Sequence, residues 1–359
     1  MADALFYVSS HGFGHAARQQ GLIAALAADG VRVHVRSAAP AKFFHAAHHH
    51  HAQRFDIGMI QHDPLRYDVE ATAAWYADFI AHEPALIADE AAYARQHDVR
   101  LILSDMPPVA CAVGAALGVP SVVITHFTWD WVYEHYVERC PAFAPIIAHI
   151  TQQYAQAALA LQMPFAHPFP QFTQVEPVGL FANAPTRPRE AVRRLFDVPA
   201  DHRVALLTMG GHGWGQTDVR ALAGAQGWTF LVMPGAYEQV ARLPTVRCVP
   251  VDFPAYHDLI AAADVVIGKA GGSTVAEVIA HGVPMIYTLT ADWRESALLD
   301  AALRQHGRGL GVPLADFERG AWVDLLEQAA ALPPAHHPLA ADGPAQAVAR
   351  LRPLWGGVL

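Results

Sequence analysis

Apolar residues along this chain fall in short runs separated by amphipathic stretches, and the alternation begins at once. Leu5 to Val8 is an unbroken strand-like run, Ser9 to Gly14 a glycine loop, and His15 to about Ala28 a helical pattern stopped by Gly30 before a second run from Val31 to Val35. The same pattern returns with a strand at Leu101 to Ser104, Asp105 at its end, a helix after Pro107 and Pro108, Gly118 as its stop, and a strand at Ser121 to Thr125. A proline-rich, aperiodic stretch from about Pro164 to Pro188 interrupts it. Beyond it come a helix near Glu190, strands at Val204 to Leu207 and Phe230 to Met233, a helix at His257 to Ala262, a strand at Val265 to Ile267, a helix at Thr274 to His281 and a strand at Met285 to Tyr287. Strands alternating with helices through both halves predict an α/β protein with two doubly wound parallel sheets. The expected domains are residues 1–180 and 181–345, with 346–359 a tail returning to the first.

Length agrees, since 359 residues suit two domains of roughly 150 each. With 53% hydrophobic and 16% charged residues the chain should fold throughout. It has neither a basic-then-apolar leader nor an apolar span of membrane length, so no transmembrane segment and a cytoplasmic location are expected. Three cysteines without ligand or redox spacing argue against a disulfide framework. A formal charge of −9 argues against a nucleic-acid partner. The run His48 to His51 has no companion cysteines or carboxylates at metal-ligand spacing, so it reads as a solvated loop or helix end and no metal is expected.

In open parallel sheets ligands bind beyond the carboxyl ends of the strands, which directs attention to four loops. The first holds His11, Gly12, Gly14 and His15. Its glycines let the backbone approach a ligand, and His15 at a helix start suits a neutral general base. Gly12, Gly14 and Ala17 also fit a dinucleotide fingerprint, but the second strand ends in Arg36 and Ser37 without the acidic ribose ligand. The second loop opens with Asp105, either the orienting partner of a histidine or a helix cap. The exit of the following strand adds His126 and Trp129, which fit an acceptor platform or ordinary packing. The third loop offers Gly210 and Gly211 to a diphosphate. The fourth is the most specific: Gly271, Gly272, Ser273 and Thr274 open a helix as an anion cradle, with Glu277 one turn on. Thr274 and Glu277 also have capping-box spacing. Arg294 and Glu295 follow the next strand, placed to meet a sugar or to lie in a solvated loop.

Taken together these segments resemble the glycosyltransferase-like N-terminal half of L-arabinokinase proteins, through the runs His11 to Arg18, Ser104 to Cys111, Phe127 to Asp130 and Gly268 to Glu277. The second half is more distantly similar to MurG-type and other UDP-sugar transferases. The resemblance implies a GT-B fold, two Rossmann-like domains facing a cleft. It also implies Gly271, Ser273, Thr274 and Glu277 as ligands of a nucleotide-sugar donor, UDP-linked by the same resemblance, and His15 with Asp105 as base and partner. It implies no cofactor beyond that co-substrate and no metal, in keeping with the lack of a D-x-D motif. The activity implied is inverting, metal-independent sugar transfer to an acceptor the sequence does not name, because Phe55 to Asp98 matches no acceptor pattern. A nucleotide-sugar hydrolase, whose family shares a similar G-x-G-H-x-x-R run, and a non-catalytic nucleotide-sugar-binding module stay open, with a nicotinamide dehydrogenase behind them. Arabinokinases continue into a sugar-kinase domain; no P-loop lies in this chain, so kinase activity is not implied.

Overall fold

A computed structural model describes residues 2–356 apart from 64, 210–213, 215, 216, 234, 235, 291, 336 and 338. The chain forms two units, one of residues 1–60, 67–181 and 342–359, the other of residues 61–66 and 182–341.

In the first unit the elements run β1 (Ala2–Val8), α1 (Gly14–Ala28), β2 (Val31–Arg36), β3 (His49–His51), then β4 (Ile60–Asp63) and β5 (Arg66–Asp68), of which residues 61–66 count with the second unit. They continue with α2 (Val69–Gln96), β6 (Val99–Asp105), α3 (Val109–Leu117), β7 (Ser121–Thr125), α4 (Trp129–Glu134), α5 (Phe143–Tyr154), β8 (Leu159–Gln162) and β9 (Val175–Pro177). The second unit carries α6 (Arg189–Leu195), β10 (Arg203–Thr208), β11 (Trp228–Val232), α7 (Tyr237–Val240), β12 (Val246–Cys248), α8 (Tyr256–Ala262), β13 (Val265–Lys269) and α9 (Gly272–His281). After these come β14 (Met285–Thr288), α10 (Ser296–Gln305), β15 (Gly309–Gly311), α11 (Leu314–Glu318) and α12 (Leu326–Ala330), and α13 (Gly343–Gly356) returns to the first unit.

Each unit is built on a parallel sheet, ordered β3-β2-β1-β6-β7-β8-β9 in the first and β12-β11-β10-β13-β14-β15 in the second. The doubly wound α/β expectation is met in both. The central strands are buried from Asp3 to Val8, Val204 to Thr208 and Val265 to Gly268, as apolar runs covered on both faces require. In each sheet the winding reverses once, between β1 and β6 and between β10 and β13, and loops leaving adjacent strands at such a point diverge and open a crevice. At the second reversal Gly268 lies opposite Thr208, and a Cβ there would sit 1.8 Å from the Thr208 carbonyl oxygen, so only glycine lets the strands pair. Ala347, Val348 and Leu351 of α13 share the first unit's core with Leu22, Ile23 and Leu26 of α1.

Two segments depart from the sequence reading. His49–His51 is an edge strand, pairing with His34 to Arg36 of β2, and His50 Nε2 donates to the Ser37 carbonyl at 2.8 Å. Backbone pairing, which side-chain polarity does not report, decides this. The stretch left unassigned between Phe55 and Asp98 contains α2, capped by Asp68, which accepts from Ala71 N at 2.9 Å. Among the described residues no helix is long and apolar enough to cross a membrane, and no group of three or more His, Cys, Asp or Glu residues is placed to hold a metal.

Candidate active site

The reversal in the first unit places the loop after β1 beside the end of β6, and Ser9 N donates to the Asp105 carbonyl at 3.0 Å across it. Asp105 is fully buried, and its carboxylate gathers the helix-α1 side chains that face it. His15 Nδ1 lies 3.0 Å from Oδ1; Arg18 Nε donates to Oδ2 at 2.8 Å, its Nη2 to Oδ1, and Gln19 Nε2 donates to Oδ2 at 2.8 Å. Arg18 Nη1 also reaches His126 Nδ1 at 2.9 Å. Burial disfavours the Asp105 anion, but the charges of Arg18 and then His15, with their hydrogen bonds, outweigh it and hold the carboxyl well below the usual range.

A carboxylate only accepts and a guanidinium only donates, which settles both imidazoles. His15 carries its proton on Nδ1, toward Asp105, and His126 accepts from Arg18 on Nδ1 and carries its proton on Nε2. Arg18 Nη2, 2.9 Å from His15 Nδ1, then belongs to Asp105 rather than to the ring. His15 Nε2 has no hydrogen-bond partner among the described residues. Burial and next the Arg18 charge lower the His15 pKa, Asp105 opposing them, so the ring is neutral near pH 7.

Beside this network sits a residue the sequence did not mark. Asp56 is fully buried; it accepts from Ser9 Oγ at 2.9 Å and from Trp129 Nε1 at 2.8 Å, and burial pushes its carboxyl up to about 7 against those two bonds. Of the two readings open for Trp129, an acceptor platform or ordinary packing, the structure favours packing: Trp129 is fully buried, its ring edge-on to that of His11 at 5.6 Å. His11 packs where Gly58 turns with φ +63°; a Cβ on Gly58 would lie 2.5 Å from the imidazole. Gly12, at φ +70°, and Gly14, the first residue of α1, complete the loop.

In the second unit Gly271 is the N-cap of α9, without a side-chain cap bond, and Gly272, Ser273 and Thr274 form its first turn. The start of a helix, where N–H groups point out along the axis, is the arrangement that attracts an anion. Lys269 ends the preceding strand, and burial lowers its pKa to about 8, with Glu295 and then Asp63 acting the other way. Glu295 is buried and accepts from Trp293 Nε1 at 2.7 Å; Arg294 precedes it in the chain. Tyr256 donates to Thr208 Oγ1 at 2.9 Å.

With the cap at Gly271, Glu277 falls in the second helical turn, so the capping-box alternative is excluded. Glu277 accepts instead from Asn183 N and Nδ2, each at 3.0 Å on Oε1, and from His281 Nε2 at 3.1 Å on Oε2. Gly210 and Gly211 lie outside the described residues. Sequence reasoning missed Asp56 and Asn183 as candidate site residues, and it quoted Arg18 and Lys269 only within motifs. The spacing of Arg18 three residues after His15 was the available signal, because it puts both on one helix face.

Residues 217–294 match the Glycosyltransferase family 28 C-terminal domain. Over 341 residues, 92% of the chain, it is 29% identical to the L-arabinokinase of Arabidopsis thaliana, and it spans 32% of that protein. It is 30% identical over 143 residues to the UDP-N-acetylglucosamine–N-acetylmuramyl-(pentapeptide) pyrophosphoryl-undecaprenol N-acetylglucosamine transferase of Moorella thermoacetica, covering 33% of this chain and 37% of the relative. The chain thus spans about a third of the length of these two relatives. Among solved structures the calicheamicin glycosyltransferase CalG4 matches with a TM-score of 0.62 at 15% identity over 99% of both chains. The chain therefore has the GT-B fold and is similar in sequence to an arabinokinase and, through its second unit, to glycosyltransferases.

Proposed function

We propose that this protein transfers a sugar from a nucleoside diphosphate sugar, UDP-linked, to an acceptor hydroxyl with inversion at the anomeric carbon. The observation that carries the reading is the buried His15–Asp105 pair, with Nδ1 of the imidazole committed to the carboxylate and Nε2 left to take a proton. Arg18 keeps Asp105 ionised, so the carboxylate both fixes the tautomer and stabilises the imidazolium that forms.

In the proposed step the acceptor hydroxyl gives its proton to His15 Nε2 while its oxygen bonds to the anomeric carbon. The bond from that carbon to the β-phosphate oxygen breaks, and the nucleoside diphosphate leaves. The N–H groups of Gly272, Ser273 and Thr274 and the Lys269 ammonium meet the charge that builds on the departing diphosphate. Gly271 lets the chain enter this turn without a side chain in the way, Glu277 takes the ribose, and Arg294 and Glu295 take sugar hydroxyls. Similarity to a UDP-sugar transferase over part of the chain supports the donor class.

A thermal-shift panel of nucleoside diphosphate sugars, free nucleotides and NAD(P) tests the reading, because a ligand of the native state raises the melting temperature by mass action. Stabilisation by one nucleoside diphosphate and its sugar is expected, followed by transfer in an acceptor screen. A shift with NADP alone overturns it. Release of free sugar without any acceptor would make the protein a hydrolase, and binding without turnover a sensor module.

A further inference from the structure

We propose that Asn183 is a positioning residue of the nucleotide site and that through it Glu277 reads only one ribose hydroxyl, so that 2′-deoxy and 3′-deoxy nucleotides are accepted nearly as well as ribonucleotides. This inference rests on the donor reading of Glu277 above.

The argument is a count of lone pairs. An ionised carboxylate offers about four acceptor sites, two on each oxygen. On Glu277 both sites of Oε1 are filled by Asn183, through its backbone N and its Nδ2. One site of Oε2 is filled by His281 Nε2. Among the described residues that leaves one acceptor site, on Oε2. A carboxylate that grips a vicinal diol needs two, one for each hydroxyl. Glu277 is only 6% exposed, so its carboxylate has little room to turn and present another edge.

Asn183 is not free to swing away and release Oε1. Three and four residues on, the segment is pinned by a second buried carboxylate: Asp258 accepts from Thr186 N at 2.6 Å, Thr186 Oγ1 at 2.7 Å and Arg187 N at 3.3 Å. Residues 183–187 are therefore fastened to α9 at one end and to α8 at the other. The single remaining site on Oε2 can be met by either hydroxyl of a ribose, so removing one leaves the other to bind. Removing both leaves the carboxylate facing the sugar with nothing to accept.

The test is calorimetric titration of the full chain with UDP, 2′-deoxy-UDP, 3′-deoxy-UDP and 2′,3′-dideoxy-UDP, or the guanosine series should GDP be the nucleotide that stabilises it. Each single deletion is expected to weaken binding by less than about threefold and the double deletion by about tenfold or more. In Asn183→Ala one site on Oε1 opens, the backbone bond staying, and a single deletion is then expected to cost about tenfold. A tenfold loss on either single deletion in the natural protein overturns the proposal, since Glu277 would be gripping the diol. An unchanged ladder in Asn183→Ala removes Asn183 from it. If no nucleoside diphosphate binds at all, the donor reading falls and the inference goes with it.

Discussion

The two strand-end sites occupy equivalent places in two sheets of the same winding, yet they meet opposite electrostatic problems. In the first unit the crevice is filled with formal charge that satisfies itself: Asp105 takes bonds from His15, Arg18 and Gln19, and nothing in the cluster needs a ligand for its balance. In the second unit the helix start at Gly271 has no side-chain cap, and Lys269 sits beside it. A self-balanced cluster keeps its geometry while a proton comes and goes. On the proposed reading a helix start with a lysine beside it would draw in an anion and release it when the charge changes. On that reading one topology would host both halves of a group transfer, because the side chains at the strand ends, not the fold, decide which is done.

Breaking the first cluster at its reacting group gives the largest effect. His15→Ala should lower transfer by about 10²–10⁴-fold with nucleotide affinity unchanged, read as kcat against a separately measured Kd. Equal activity in that variant removes His15 from the chemistry. Breaking its balance comes next: Asp105→Asn leaves the buried Arg18 guanidinium uncompensated, and urea unfolding should show a loss of about 3–5 kcal/mol. A loss below about 1 kcal/mol would mean that water reaches Arg18 and the cluster is not dry.

The second site, as proposed, should respond to charge rather than to geometry. Lys269→Met should weaken nucleoside diphosphate binding about tenfold. In the natural protein affinity should fall as pH rises through about 8, where Lys269 loses its proton, and the variant should show no such step. A pH step that survives the substitution assigns it elsewhere. The smallest effect sharpens the contrast within the first unit. Asp56 binds its proton more tightly in the folded state than in the unfolded chain, so its contribution to stability falls as pH rises from near 4 to about 7. Asp56→Asn can still accept from Trp129 and donate to Ser9. Its melting temperature at pH 8 should therefore equal or exceed that of the natural protein, with the gap closing toward pH 4. A variant less stable at pH 8 would show that the ionised carboxylate is favoured there.

The architecture was legible because both central strand sets are apolar runs ended by glycine loops, a pattern that needs no knowledge of strand order. The long helix α2 was not, because positions that face inward carry charge. Glu90 accepts from Tyr7 and Arg36, and Glu83 from His149 and Gln153, so the apolar period is broken where the helix packs, and Pro84 lies in its middle. His15 and Asp105 were readable as strand-end residues, but their approach depends on β1 lying beside β6, which spacing of 90 residues does not reveal. Asp56 follows no glycine loop and belongs to no motif; only folding shows that it ends under Trp129. Asn183 lies in the proline-rich stretch that marked the domain joint, where a backbone N–H donor has no sequence signature.

The placing of α13 with α1 carries a practical consequence for anyone who would exchange halves between proteins of this fold. Neither half is a continuous piece of sequence. A single cut near residue 181 strips Ala347, Val348 and Leu351 from the core they share with Leu22, Ile23 and Leu26, and leaves residues 61–66 on the wrong fragment. A graft that keeps both halves folded needs a second junction near residue 341 and must carry the short 61–66 insert along with its recipient, so the modules of this protein are spatial rather than linear.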